Sequence, residues 1–191
     1  MNTVYISLNK AGATRRGNAD IALAVLGGLV CFGVSVSLSG LWEHSGHFIV
    51  AAVIGSVNGS VWEGVKVICV SLLMWFGAQF FVLDVNYQRM TGAAALCLLT
   101  AAVCKIAVTC VCMGVLGFLP LWLDRLLAAL AIAAGQWVSV KVQRNPGRVE
   151  EAFLWWSALL VLLLFALLSF TVNPPHIGLF FDPVRSVYGI A

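Results

Sequence analysis

Five long apolar runs constrain the fold of this 191-residue chain more than any other feature. Each reaches about 20 residues, and a helix of that length crosses the roughly 30 Å hydrocarbon core of a bilayer. The charged residues, 10% of the sequence, are too few to cover a soluble domain. We therefore expect an all-α transmembrane bundle, built as a single integral membrane domain over residues 1–191. The runs cover residues 21–41, 61–83, 91–119, 121–140 and 152–172.

A sixth apolar stretch, residues 47–57, is too short to cross the membrane. We predict that it forms either a re-entrant segment or an interfacial helix, so the chain has five spans plus this short segment.

Basic residues are distributed unequally along the chain, and cytoplasmic loops of membrane proteins carry an excess of Lys and Arg. The first loop, residues 42–60, has none. The pattern predicts that residues 1–20 are cytoplasmic and that the C-terminus is extracytoplasmic. The cations assigned to the cytoplasmic side are Lys10, Arg15, Arg16, Arg89, Lys141, Arg144 and Arg148.

This orientation gathers polar side chains at the extracytoplasmic end of the bundle. An ionisable residue inside a span indicates a functional site by default. The alternative is that its side chain only extends to the membrane interface, which is called snorkelling. Lys66 follows Glu63 by one helical turn, which allows an ion pair, while Lys105 could pair with Asp124, Glu63 or Glu43. The predicted ligand-binding residues are Glu43, Asn58, Glu63, Lys66, His176 and Asp182, with Lys105 and Asp124 as deeper electrostatic partners.

Two groups of polar residues in this region allow another interpretation. Ser60 and Glu63 match a capping box, in which each side chain bonds the other residue's backbone N–H at a helix start. His44 and His47, with His176, are weak candidates for a zinc-like site, because the HxxH spacing lacks a helical context and a certain fourth ligand. We predict no cofactor.

The C-terminal tail, residues 173–191, begins where Pro174 and Pro175 end the fifth span. The residues that follow are largely apolar, so we expect the tail to fold back over the outer mouth of the bundle. It would then bring His176 within reach of Glu43 or Glu63.

Three segments resemble a family of small bacterial multi-pass membrane proteins of unknown function. They are Trp42-Glu43-His44-Ser45-Gly46, NGSVWEGVK over residues 58–66, and PPHIGLFFDP over residues 174–183 with Tyr188-Gly189-Ile190. The sequence departs from the family pattern at Gly59, where Glu is usual, and at Gly64, where His is usual. The resemblance implies a location in the bacterial inner membrane and no established activity.

These features favour a membrane protein that binds or passes a small polar or ionic solute at its extracytoplasmic end. One alternative is a structural or assembly partner of a membrane complex. Another is a membrane-embedded enzyme, with or without a metal, in which Glu43 or Glu63 is the base and His176 the acid. The expected partners are the lipid bilayer and the solute, with a homo-oligomer or membrane partner left open. No Lys or Arg run suggests nucleic-acid binding.

The orientation can be tested by cysteine labelling in a background that lacks the six native cysteines. A cysteine at position 46 should react with a membrane-impermeant maleimide from outside intact cells, and one within residues 141–151 only after the cytoplasmic side is opened. Reaction of position 46 only from the cytoplasm would overturn the orientation.

Overall fold

The structure is a computed structural model that describes residues 2–83, 86–145 and 147–189, with side chains described from residue 19 onward except at position 148. The side chains of Lys10, Arg15, Arg16 and Arg148 therefore lie outside the described residues. The helices are α1 (Asn2–Leu38), α2 (Leu41–His44), α3 (Ile49–Ile54), α4 (Val61–Val82), α5 (Tyr87–Leu116), α6 (Leu121–Arg144), α7 (Gly147–Glu151) and α8 (Phe153–Val172).

Five helices are long and apolar enough to cross a membrane, which confirms the predicted all-α bundle. They are the Ala19–Leu38 part of α1 together with α4, α5, α6 and α8. Because the spans alternate in direction, residues 39–60, the turn between α5 and α6, and the C-terminal tail share one end of the bundle. We call it the first-loop end.

α5 lies at the centre of the bundle, where it contacts α4, α6 and α8, while α1 packs on α4 and α6. The core between them contains the buried thiols of Cys31, Cys69 and Cys97. α5 and α6 approach closely at Gly135, where an added Cβ would lie only 2.7 Å from the carbonyl oxygen of Cys97. Small residues thus allow the tight helix contacts on which a bundle in lipid depends.

The helix boundaries follow local capping chemistry. The Ser60 side chain accepts a hydrogen bond from the Glu63 backbone N–H at 3.4 Å, so Ser60 caps α4 as predicted. The reciprocal half of the capping box does not form, because the Glu63 carboxylate bonds Val57 instead. Asn86 caps α5 by accepting from two backbone N–H groups, and the left-handed Gly117 ends that helix.

The stretch predicted as re-entrant or interfacial, residues 47–57, contains one short helix, α3. α3 contacts both α4 and α8. Its Ala51 and Ala52 are buried against Trp42 and Val57, whereas Ile49 is exposed. The first loop is therefore packed against the bundle through one face of α3.

The C-terminal tail contacts the first-loop end through a compact turn. It contains a short 3-10 helix (Gly178–Phe180) followed by strands β1 (Phe181–Asp182) and β2 (Val187–Tyr188), which pair antiparallel. Phe180 is 4% exposed, and its ring lies 5.2 Å from the rings of both Trp62 and Phe170. This aromatic cluster joins the tail to α4 and α8.

We expect Phe180→Ala to destabilise the protein by roughly 3–5 kcal/mol, as truncation of a buried aromatic side chain commonly does. The measurement is unfolding of the detergent-solubilised protein, together with protease sensitivity of the first loop. Val184→Ala is the matched control, since Val184 is 88% exposed in the same tail. Equal effects of the two substitutions would show that the tail does not stabilise the bundle.

Candidate functional site

A buried ion pair lies one turn into α4. Lys66 Nζ lies 2.7 Å from Glu63 Oε2, and the two side chains are 0% and 3% exposed. The ammonium also donates to the Ala52 carbonyl oxygen at 2.8 Å and to Thr171 Oγ1 at 3.2 Å. All three Lys66 donors therefore have partners, and the side chain links α4 to α3 and α8.

Glu63 uses the same oxygen to hold the first loop. The Val57 backbone N–H donates to Glu63 Oε2 at 2.8 Å, just before the chain enters α4. A carboxylate and an ammonium that neutralise each other and bond backbone groups are tolerated in an apolar interior. The predicted pairing of Lys66 with Glu63 is thus present, and it fixes the loop against three helices.

Asp182 holds the tail on this loop. It is 1% exposed, and its carboxylate accepts from the Gly59 backbone N–H at 2.7 Å and from those of Val184 and Arg185 at 2.8 and 3.2 Å. Burial alone raises the pKa of Asp182, but these three N–H groups and the Arg185 charge more than offset it and hold the pKa below its ordinary value.

Asn58 makes the second link between loop and tail. Its amide nitrogen donates to the Gly189 carbonyl oxygen at 2.8 Å, and its amide oxygen accepts from the Ser60 backbone N–H at 2.9 Å. Gly59 lies between these links, and a Cβ there would lie 3.3 Å from the carboxylate oxygens of Asp182. A small residue at position 59 thus lets the tail approach the loop closely.

A cleft of about 610 Å³ opens at the first-loop end, between the first loop, the tail, and the adjoining ends of α4, α5 and α6. Its lining includes both polar and apolar side chains as well as the bare backbone of Gly64. Three of the predicted ligand-binding residues line it, namely Glu43, Asn58 and Asp124. Glu63 and Lys66 are not among its lining residues.

Lys105 lies beneath the cleft floor. Its ammonium, 1% exposed, contacts the Asp124 carboxylate and donates to the Asp124 carbonyl oxygen at 3.1 Å. Of the three acids that the sequence left open as partners of Lys105, Asp124 is therefore the one that pairs with it. Gly64 lies above this pair, since a Cβ there would be 3.5 Å from Lys105 Cε.

Arg185 forms the tail side of the cleft. Its Nη2 lies 2.5 Å from Glu43 Oε1, and its Nη1 donates to the Val57 carbonyl oxygen at 3.3 Å. The hydrogen bond from Arg185 is the main reason that the pKa of Glu43 lies below its ordinary value. Sequence reasoning missed Arg185, although its position in a turn three residues after a buried Asp182 was a usable signal.

The structure does not bring His176 to the two glutamates, contrary to expectation. His176 is exposed and its ring lies 4.7 Å from that of Tyr188. Between His176 and either Glu43 or Glu63, all of them described residues, there is no hydrogen bond or ion pair. The tail does turn back over the loop, but it turns so that Arg185 takes the place expected for the histidine.

The other two histidines have separate surroundings. His44 Nδ1 lies 2.7 Å from the Gly40 carbonyl oxygen, and His47 stacks on Trp42 with ring centroids 4.9 Å apart. Among the residues that the structure describes, no group of three or more His, Cys, Asp or Glu side chains is placed to hold a metal ion. The weak candidates His44, His47 and His176 are therefore not assembled into one site.

Arg125 is a second cleft residue that sequence reasoning missed. It is half-buried in the second turn of α6, and its Nη1 donates to Ser39 Oγ at the end of α1, 2.8 Å away. The sequence offered only the presence of a cation near the start of a span.

The sequence profile of DUF6512, described as a family of unknown function, matches residues 20–190. The chain belongs to the DUF6512 family. No curated protein and no solved structure matches it.

Within this DUF6512 protein, the three segments that carry the resemblance lie together in space. Residues 58–66 and 174–183 meet at the first-loop end through the contacts of Asp182 with Gly59 and of Phe180 with Trp62. Glu43, from residues 42–46, lines the same cleft as Asn58 and Pro183. Gly59 and Gly64, the two glycines of the 58–66 segment, both line the cleft. The most distinctive parts of the sequence therefore form or border the cleft.

Proposed function

We propose that this protein binds a small polar or ionic solute in the cleft at the first-loop end. The observation that carries the proposal is the lining of the cleft, where Glu43, Asp124, Arg125 and Arg185 surround a space of about 610 Å³ at the end of an apolar bundle. Ligand sites are commonly concave and mainly apolar, with a few convergent polar groups.

The proposal places the cleft on the extracytoplasmic side of the bacterial inner membrane. The support is the distribution of cations, since Arg89, Lys141 and Arg144 lie at or near helix ends opposite the cleft. The first-loop end would then face the periplasmic or external solution, from which a solute reaches the cleft directly.

Binding is better supported than transport through the bundle. Lys105 closes the cleft floor with Asp124, and the core below it contains fully buried side chains such as Cys97 and Ala101. Alternating-access transporters usually combine internal repeats with broken helices, and the sequence has no such repeat. We therefore infer that the solute is captured at one face of the membrane.

A thermal-stability screen of the detergent-purified full chain tests this function. The panel contains cationic, anionic, zwitterionic and neutral small solutes. At least one should stabilise the protein, by roughly 2.7 kcal/mol at a concentration of 100 times its Kd.

The matched variants are Gly64→Leu and Gly77→Leu. Both substitute a glycine of α4, but residue 64 lines the cleft, whereas position 77 lies roughly 20 Å further along the helix in open space. The stabilisation should disappear in Gly64→Leu and persist in Gly77→Leu. A panel with no stabilising solute, or one whose effect survives Gly64→Leu, would contradict the proposal.

A further inference from the structure

One cation of the cleft lining has no ion-pair partner among the described residues. Of the two acids that line it, Glu43 pairs with Arg185, and Asp124 pairs with Lys105 from below. Arg125 also lines the cleft, but in the described part of the chain it has no ion-pair partner. Arg125 is therefore the cleft cation that no acid of the described residues pairs with.

The guanidinium of Arg125 also has unused hydrogen-bonding capacity. Arginine has five N–H donors, and among the described residues the one hydrogen-bond acceptor found for this side chain is Ser39 Oγ. Ser39 directly follows α1, so the bond directs the Arg125 side chain across the cleft margin towards that helix. A simple snorkelling side chain would need no such partner on a neighbouring helix.

A cationic ligand would fit this lining poorly. At Glu43 it would share the carboxylate with Arg185, and at Asp124 it would share the carboxylate with Lys105. A second cation beside either acid would be repelled by the cation that already pairs with it. An anion, in contrast, meets Arg125 without breaking an existing pair.

The rest of the lining indicates an apolar group on the same ligand. Met113, Phe118, Leu121 and Phe181 all contribute to the cleft surface. Burial of their apolar area against a ligand would add to affinity.

We propose that the cleft takes an organic anion, a carboxylate or phosphate that binds Arg125 and is attached to a compact apolar group. Guanidinium matches both oxyanions because it can form two parallel N–H···O bonds. This inference rests on the proposed function and specifies its ligand class. The anionic group can belong to a free solute or to a lipid headgroup, since the chemistry at Arg125 is the same.

The test compares ligands that share one tail and differ in the headgroup: hexanoate, hexylammonium and hexanol, each titrated into the detergent-purified full chain by calorimetry. Hexanoate should bind most tightly. Arg125→Gln should weaken its binding at least tenfold, and Arg125→Lys, which keeps the charge but not the two-pronged geometry, should weaken it less. Arg89→Gln, which removes a cation outside the cleft that pairs with Glu150, should leave it unchanged.

A second arm distinguishes the two sources of the anion. Dihexanoyl phosphatidate is compared with dihexanoyl phosphatidylcholine, which has the same tails and no net charge. Arg125-dependent binding of phosphatidate but not of hexanoate assigns the anion to a lipid headgroup, and the reverse assigns it to a free solute. Both results support the inference.

Three results would overturn the inference: tighter binding of hexylammonium than of hexanoate, equal binding of hexanoate by the Arg125→Gln variant, or no binding of any anion. The first leaves the proposed solute cleft intact. In the other two cases the solute panel and the Gly64→Leu variant decide separately whether the cleft binds anything.

Discussion

The ion pair between Glu63 and Lys66 is the interaction on which the first-loop end depends. Charges in an apolar interior are costly, so the pair is tolerated only because each charge neutralises the other and the remaining polar atoms find partners. Lys66 meets this requirement by bonding Ala52 of α3 and Thr171 of α8, and Glu63 by bonding the Val57 N–H. Because both buried charges need partners, their contacts join α3, α4 and α8 to the first loop.

The cleft follows from that link. Once residues 55–60 are fixed against α4, the Gly59 N–H and the Asn58 amide present fixed bonding positions to the tail. The tail docks there through Asp182, and this docking places Arg185 beside Glu43. The cleft wall is therefore held by hydrogen bonds between segments far apart in sequence, while its floor is held by Lys105 and Asp124.

Sequence reasoning predicted the parts of this arrangement that depend on local or strongly constrained chemistry. The spans follow from apolar length, and the pairing of Glu63 with Lys66 follows from their spacing of one turn.

Sequence reasoning failed where the path of an irregular segment decides which residues come into contact. The tail's turn carries Arg185, not His176, to Glu43, and the loop bends so that Val57 takes the carboxylate that a capping box would have used. Arg125 was missed because periodicity locates helices without fixing how each is rotated.

A double-mutant cycle tests the central role of the buried pair most directly. The free energy of unfolding in detergent is measured for Glu63→Gln, Lys66→Met and the double variant. We predict that each single substitution costs roughly 3–5 kcal/mol, because it leaves a buried charge unpaired, and that the double variant loses clearly less than the sum. Single variants as stable as the wild type, or strictly additive losses, would contradict the account.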